Sequence, residues 1–156
     1  MNDLDVHIVR LEPMFVASAL GYGPNPEELA WKQLLSWIQQ SSLSKAIVGH
    51  RFFGFNNPSP SAGSPNYGYE QWVTVEVGTQ GGEGILLKES RGGLYAVARC
   101  TLNNITDAWK ALVLWQERSN YRPAHHQWLE ECLGSPLDQE VGPETEFDIY
   151  LPIAEP

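Results

Sequence analysis

Basic residues are scarce. Lys and Arg together number ten against nineteen Asp and Glu, for a formal charge of −9, which works against binding a phosphate backbone, whose affinity is drawn from basic side chains. A nucleic-acid ligand is therefore not expected, and cationic small molecules are favoured instead, although an acidic surface is first of all a solubility device. Cysteine is scarce too: Cys100 and Cys132 are the only two, too few for a disulfide framework and in keeping with a reducing cytoplasm. Long apolar runs are absent, so no membrane span is expected, and no basic segment followed by an apolar one opens the chain. The first strand-like segment already starts at Val6, so no preceding DNA-binding domain is expected. The chain reads as a soluble cytoplasmic protein, one domain over residues 1–156.

What the chain has in place of these is a repeat. Ala30, Trp31, Lys32, Leu34, Trp37, Ser41 and Pro58 recur at a constant offset of 78 as Ala108, Trp109, Lys110, Leu112, Trp115, Ser119 and Pro136. The same offset lays Tyr69–Val75 over Phe147–Ile153, with no gap needed between helix and last strand. Repeat one runs from about residue 6 to 77 and repeat two from about 85 to 153. A duplicated chain folds most simply about a pseudo-twofold axis, with a ligand crevice between the halves.

Local patterns give the elements. Val6–Val9 and Phe15–Leu20 read as an edge-prone strand interrupted by Pro13. Asn25-Pro-Glu-Glu28 supplies an N-cap, a proline at the first helical position and a glutamate three residues after the cap, and Trp31, Leu34, Leu35 and Ile38 then form one apolar stripe. Strands follow at Phe52–Phe55 and Tyr69–Val77, and glycines from Gly78 to Gly84 join the copies. The second copy repeats the order: strands at Ile85–Leu87 and Leu94–Cys100, a helix from Asn104–Asp107, and strands at Gln127–Leu133 and Glu146–Ile153. The expected class is α+β: two βαββ repeats forming an antiparallel sheet with helices on one face.

Alternation along the strands separates core from candidate site. Phe147, Ile149, Leu151 and Ile153 share one face and should pack under a helix, leaving Asp148 and Tyr150 on the other; Glu70 and Trp72 occupy the matching positions of the first copy. A carboxylate two residues from an aromatic is a sensible trap for a lipophilic cation, although exposed strand positions of this composition are also ordinary. Trp128, Glu130 and Cys132 share one strand face and Leu129, Glu131 and Leu133 the other, and parity does not decide which glutamate points inward, because both faces are mixed. His125-His126 lack the spaced partners of a metal site, and the paired tryptophans of the two helices read as core packing. Neither a metal nor a cofactor is expected.

The run Tyr95-Ala-Val97, Trp109-x-x-Leu112-x-x-Trp115, Leu129-Glu130-x-Cys132-x-x-x-Pro136 and Thr145-Glu-x-Asp148-Ile-Tyr150-Leu-Pro152-Ile153 resembles the GyrI-like effector-binding family, which also supplies the effector domains of AraC-type and MerR-type regulators. The resemblance spans nearly the whole chain. It implies a pocket lined by aromatics with a glutamate in the position of Glu130, where family sequences often read Glu-x-Tyr and this one reads Glu130-x-Cys132. The resulting expectation is a lipophilic, cationic small molecule with Glu130 as anchor, Trp72 and Tyr150 stacking on it, Glu70 and Asp148 adding negative potential, and Tyr22, Tyr69 and Cys132 as walls. Two other readings come from the same resemblance: a hydrolase of strained electrophiles such as cyclopropane-bearing compounds, using Glu130 and Tyr150, and an interaction protein that masks a partner such as DNA gyrase.

Overall fold

A computed structural model describes residues 4–41, 50–57, 59–133 and 141–156, so the Pro58/Pro136 repeat pair lies outside the described residues. The chain is α+β, as expected, and divides into two compact units: Met14–Ser90, and Met1–Pro13 together with Arg91–Pro156. Among the described residues no helix is long and apolar enough to cross a membrane.

In the Met14–Ser90 unit, β2 (Met14–Gly23) leads into α1 (Pro26–Gln40), then β3 (Phe52–Asn56), β4 (Tyr67–Thr74) and β5 (Ile85–Ser90). All pairs are antiparallel, in the order β3-β4-β2-β5. The other unit holds β1 (Val6–Leu11), β6 (Gly93–Thr101), α2 (Ile105–Arg118), the short β7 (Arg122–Pro123), β8 (Leu129–Cys132) and β9 (Glu146–Ala154). Its order is β1-β6-β9-β8, with β7 against the end of β9.

The two pairing diagrams are the same once β1 is matched with β5. Each lead strand therefore pairs with strands of the unit that does not contain the helix following it. Pro13 and the Gly92-Gly93 corner mark the two places where the chain changes units. Pro13 cannot donate to a ladder, and Gly92 has φ +72, a conformation that glycine adopts without a Cβ penalty. The single interrupted strand expected before the first helix is thus two strands in different units.

Cross-strand partners refine the repeat. Ser18 faces Trp72 and Val97 faces Tyr150, so with Trp72 matched to Tyr150 the first strands stand at an offset of 79. Phe53 faces Trp72 and Leu129 faces Tyr150, an offset of 76 for the third strands. The gapless alignment at offset 78 holds for the helices and the last strands but not for the strands between them. At offset 79 the burial of β2 and β6 agrees residue by residue, from Phe15 and Leu94 through Gly21 and Cys100.

Each helix lies against one face of the strands of its own unit. In the first unit, a Cβ placed on Gly21 would lie 2.2 Å from the Pro26 carbonyl oxygen and 2.9 Å from the Ala30 nitrogen, and Trp31 meets Phe52 with ring centroids 5.6 Å apart. Pro26 begins α1 as read, but Asn25 makes no side-chain cap. Glu27 in the first turn instead accepts from the Tyr67 hydroxyl, at 2.6 and 2.8 Å, and favours the helix N-terminus by charge. In the second unit Leu112 of α2 and Phe147, Ile149, Leu151 and Ile153 of β9 are buried, as their alternation requires.

Candidate functional site

Residues paired across a ladder share a sheet face, and this assigns every candidate to a side. In the first unit Tyr22, Leu20, Ser18, Glu70, Trp72, Phe53, Phe55, Leu86 and Lys88 lie opposite the helix, whereas Gly21, Gly54, Tyr69 and Gln71 lie beneath it. Tyr69 is therefore separated from Glu70 and Trp72, and its ring lies over Gly54, where an added Cβ would clash with the hydroxyl. Its placement as a wall residue beside them is corrected by the same alternation that groups Glu70 with Trp72. Tyr22 is on their face and 59% exposed.

Glu70 is buried at 5% exposure and surrounded by donors. Its Oε2 accepts from Ser18 Oγ at 2.9 Å and from Trp72 Nε1 at 2.6 Å, its Oε1 accepts from Asn57 Nδ2 at 3.1 Å, and the Lys88 ammonium closes an ion pair on Oε2. Burial alone would raise the Glu70 carboxyl; the contacts from Lys88, Trp72, Asn57 and Ser18 outweigh it and hold the group below its ordinary 4.5. Lys88 Nζ also lies 5.7 Å from the Trp72 ring centroid, and Phe55 meets Trp72 edge-on at 5.0 Å. The carboxylate and aromatic paired by spacing thus meet in this unit, around a cation belonging to the chain itself.

The second unit is arranged differently. Asp148, Tyr150, Leu129 and Glu131 share the helix-free face, while Glu130 and Cys132 pair with Ile149 and Phe147 on the helix side. Glu130 Oε2 accepts from Trp109 Nε1 of α2 at 2.8 Å, beneath the Trp109–Trp128 contact at 5.2 Å. Glu130 and Tyr150, paired in the anchor and hydrolase readings, are on opposite faces. The glutamate that meets Tyr150 is Glu131, which is buried and accepts from the tyrosine hydroxyl at 2.6 Å. Asp148 is held by Arg99 through contacts of 3.0 and 3.3 Å. Sequence left the choice between the glutamates open, and register decides it.

Both cysteines are buried and form no disulfide. Cys100 and Cys132 each pair with Phe147 from opposite sides, which puts them roughly 9–10 Å apart, two strand spacings and too far for a disulfide. Burial, then the charges of Glu130 and Asp148, push the Cys100 thiol up to about 11, so it stays protonated at neutral pH. Among the described residues no cluster of His, Cys, Asp and Glu could hold a metal ion. His126 packs edge-on against Tyr95 at 4.8 Å, its Nε2 2.8 Å from the Leu94 carbonyl oxygen. A separate cavity of about 730 Å3 in the first unit is lined by Trp37, Gln40, His50, Glu76 and the glycine-rich Gly78–Gly82 segment, a place that the sequence reading treated as linker.

Two phenols, the half-buried Tyr67 and the buried Tyr95, give a measurable pH signature. Tyr67 is pushed up to about 12 by burial and then by Glu27, and Tyr95, whose hydroxyl donates to the Gln127 carbonyl at 2.5 Å, is pushed up to about 12 by burial. Both folded values exceed the ordinary 10.0, so the folded state holds these protons more tightly than the unfolded chain. Their contribution to stability is complete below pH 10 and is lost as pH rises towards 12. Absorbance at the phenolate band should show two tyrosines ionising late, and the urea midpoint should fall across the same interval; ionisation of both near pH 10 would contradict it.

A family model described as Cass2, integron-associated effector binding protein, matches residues 7–153. The chain belongs to this family. Membership bears out the GyrI-like resemblance read from the motifs. Solved structures agree in fold: the EcmrR C-terminal domain superposes with a TM-score of 0.74 at 13% identity, covering 98% of this chain and 99% of that one. A hydrolase from Listeria innocua gives 0.70 at 10% identity, over 99% and 94%. SAV2435 bound to tetraphenylphosphonium gives 0.56 at 8% identity, over 96% and 94%. No match was found among curated proteins.

Proposed function

We propose that this member of the effector-binding family binds a lipophilic organic cation on the helix-free face of its first unit, with Glu70 as the charge anchor, Trp72 and Phe55 as the aromatic wall, and Leu20 and Tyr22 as the outer apolar surface. The observation that carries the reading is the buried carboxylate of Glu70 hydrogen-bonded to the indole of Trp72, with a cation seated against both. Neutral donors from Ser18, Trp72 and Asn57 keep the carboxylate charged and aimed, so the cation it meets need supply only charge and a surface to stack. The relative bound to tetraphenylphosphonium supports this class of ligand. On the corresponding face of the second unit Tyr150 and Glu131 form a second aromatic–carboxylate pair, and Asp148 is engaged by Arg99. Glu130 has a supporting role, fixing Trp109 on the helix side.

Titration with tetraphenylphosphonium, read by tryptophan quenching and calorimetry, tests the proposal. Saturable binding is expected, weakened about 5- to 150-fold by Glu70→Gln, the range for losing one charge-assisted contact of roughly 1–3 kcal/mol. Triphenylphosphine oxide, which is neutral, should lose much less, and Glu130→Gln should cost the cation less than Glu70→Gln. Failure of the cation to bind any form, or equal losses for cation and neutral compound, would remove Glu70 as an anchor.

A further inference from the structure

The cation at Glu70 is the chain's own. Lys88, on β5, reaches across β2 so that its ammonium meets Glu70 Oε2 and lies over the Trp72 ring, within the roughly 6 Å at which a cation feels a ring's face. The two partners of this pair differ in access: the Glu70 side chain is 6% exposed and the Lys88 side chain 37%. The lysine is thus the more solvent-accessible partner of the pair. If it leaves, Glu70 keeps its three neutral donors and loses only its cation.

The surroundings suit a different cation better. Leu86 lines up with Ser18 and Trp72 across the sheet, and Leu20 lies beside Glu70; they are 69% and 52% exposed on this same face. A lysine ammonium, strongly hydrated and compact, covers little of that apolar surface. A bulky cation with aromatic substituents would cover it while satisfying the same carboxylate and indole. In the second unit the position of β1 corresponding to Lys88 is Val9, at the same offset of 79 between the lead strands.

We propose that Lys88 is a built-in competitor for the cation subsite at Glu70 and Trp72, and that a lipophilic cation binds by displacing its ammonium. The inference rests on the cation-binding reading above and adds a selectivity device to it. A hydrophilic amine would exchange one ammonium for another with no gain, so only a cation that also covers Leu20 and Leu86 repays the displacement. Apolar area thereby becomes a condition for binding, although the anchor itself is electrostatic.

Two measurements test it with tetraphenylphosphonium as the probe. Lys88→Met keeps the aliphatic stem and removes the competitor, so affinity should rise at least about tenfold, roughly one ammonium–carboxylate contact no longer having to be broken; in a Glu70→Gln background the same substitution should change affinity little. The second measurement uses the unaltered protein: acetylation of lysines by an activated ester, read by mass spectrometry, with exposed Lys32 and Lys110 as internal references. Relative to these, Lys88 should be slow in the free protein and several-fold faster when the probe is bound. Binding by the unaltered protein with Lys88→Met unchanged or weaker, or with Lys88 labelling unchanged or slower, overturns the competitor and leaves the cation site standing. Absence of binding by both the unaltered protein and Lys88→Met overturns both readings, and binding by Lys88→Met alone supports both.

Discussion

Glu70→Ala should destabilise the fold by about 3–5 kcal/mol, the cost of breaking a buried charged cluster by removing its centre. The carboxylate accepts from Ser18, Trp72 and Asn57 and neutralises Lys88, and truncation leaves the buried indole N–H and the Ser18 hydroxyl without that acceptor. Glu70→Gln should cost less, about 1.5–3 kcal/mol. Its amide oxygen can replace Oε2, but its NH2 group then faces the Asn57 amide nitrogen, a donor against a donor unless the asparagine turns over. The acid limb of stability carries the same signature. Because the folded Glu70 carboxyl lies below its ordinary 4.5, the stabilisation it brings is complete above that pH and is lost as pH falls through the folded value. Urea melts from pH 7 downwards should show the unaltered protein losing stability below about 4.5, with a shallower decline in Glu70→Gln. Parallel curves for the two would mean that the carboxylate is not charged in its burial site.

Much of this arrangement was legible in the sequence, and the rest follows a clear physical division. Apolar residues at helical spacing and the Asn25-Pro26 and Asn104–Asp107 signals placed the starts of α1 and α2, because a helix is decided by neighbours three and four apart. Alternation correctly separated Phe147, Ile149 and Leu151 from Asp148 and Tyr150, and would have excluded Tyr69 from the face of Glu70 had it been applied there. What alternation cannot supply is register and partner choice, which depend on contacts distant in the chain. The side taken by Glu130 was undecidable because both faces of β8 are mixed, and it became fixed only through Ile149 opposite it and the Trp109 indole above it. Likewise the lead strands change units, an exchange that leaves no local pattern apart from Pro13 and the glycines at 92 and 93. Lys88 was missed for the same reason: it lies on β5 and Glu70 on β4, two strands that meet only through β2. Its one local signal was being the sole basic residue within β5, in a chain with few.

Gly21→Val should be at least as damaging as the loss of Glu70, by about 3 kcal/mol or more, at the upper end of the cost of inserting methylenes into a packed site. The first atom of any side chain at residue 21 would lie 2.2 Å from the Pro26 oxygen, 2.9 Å from the Ala30 nitrogen and 3.0 Å from Leu29 Cβ. Two of these three obstacles are helix backbone, which cannot rotate aside as a side chain can, so relief requires moving the whole first turn of α1 away from β2. That turn carries Glu27, the acceptor for Tyr67, so the shift would also loosen a cross-link to the start of β4. The second unit has Cys100 at the corresponding place, buried on the helix side, so the same strand–helix contact there accommodates a side chain. The duplication is therefore not interchangeable at this point: glycine in one copy permits a closer approach of helix to strand. Gly142→Ala is the matching control, since an added Cβ there meets nothing within 4 Å and replacing a glycine in open space is neutral or slightly stabilising through the unfolded chain. Thermal melts of the two variants should differ by about 6–12 °C or more if Gly21 is the contact point, taking about 2–4 °C per kcal/mol for a chain of this size. Similar midpoints for both would mean that α1 can withdraw from β2 at little cost, and Gly21→Ala, one methyl rather than three carbons, would then be near neutral as well.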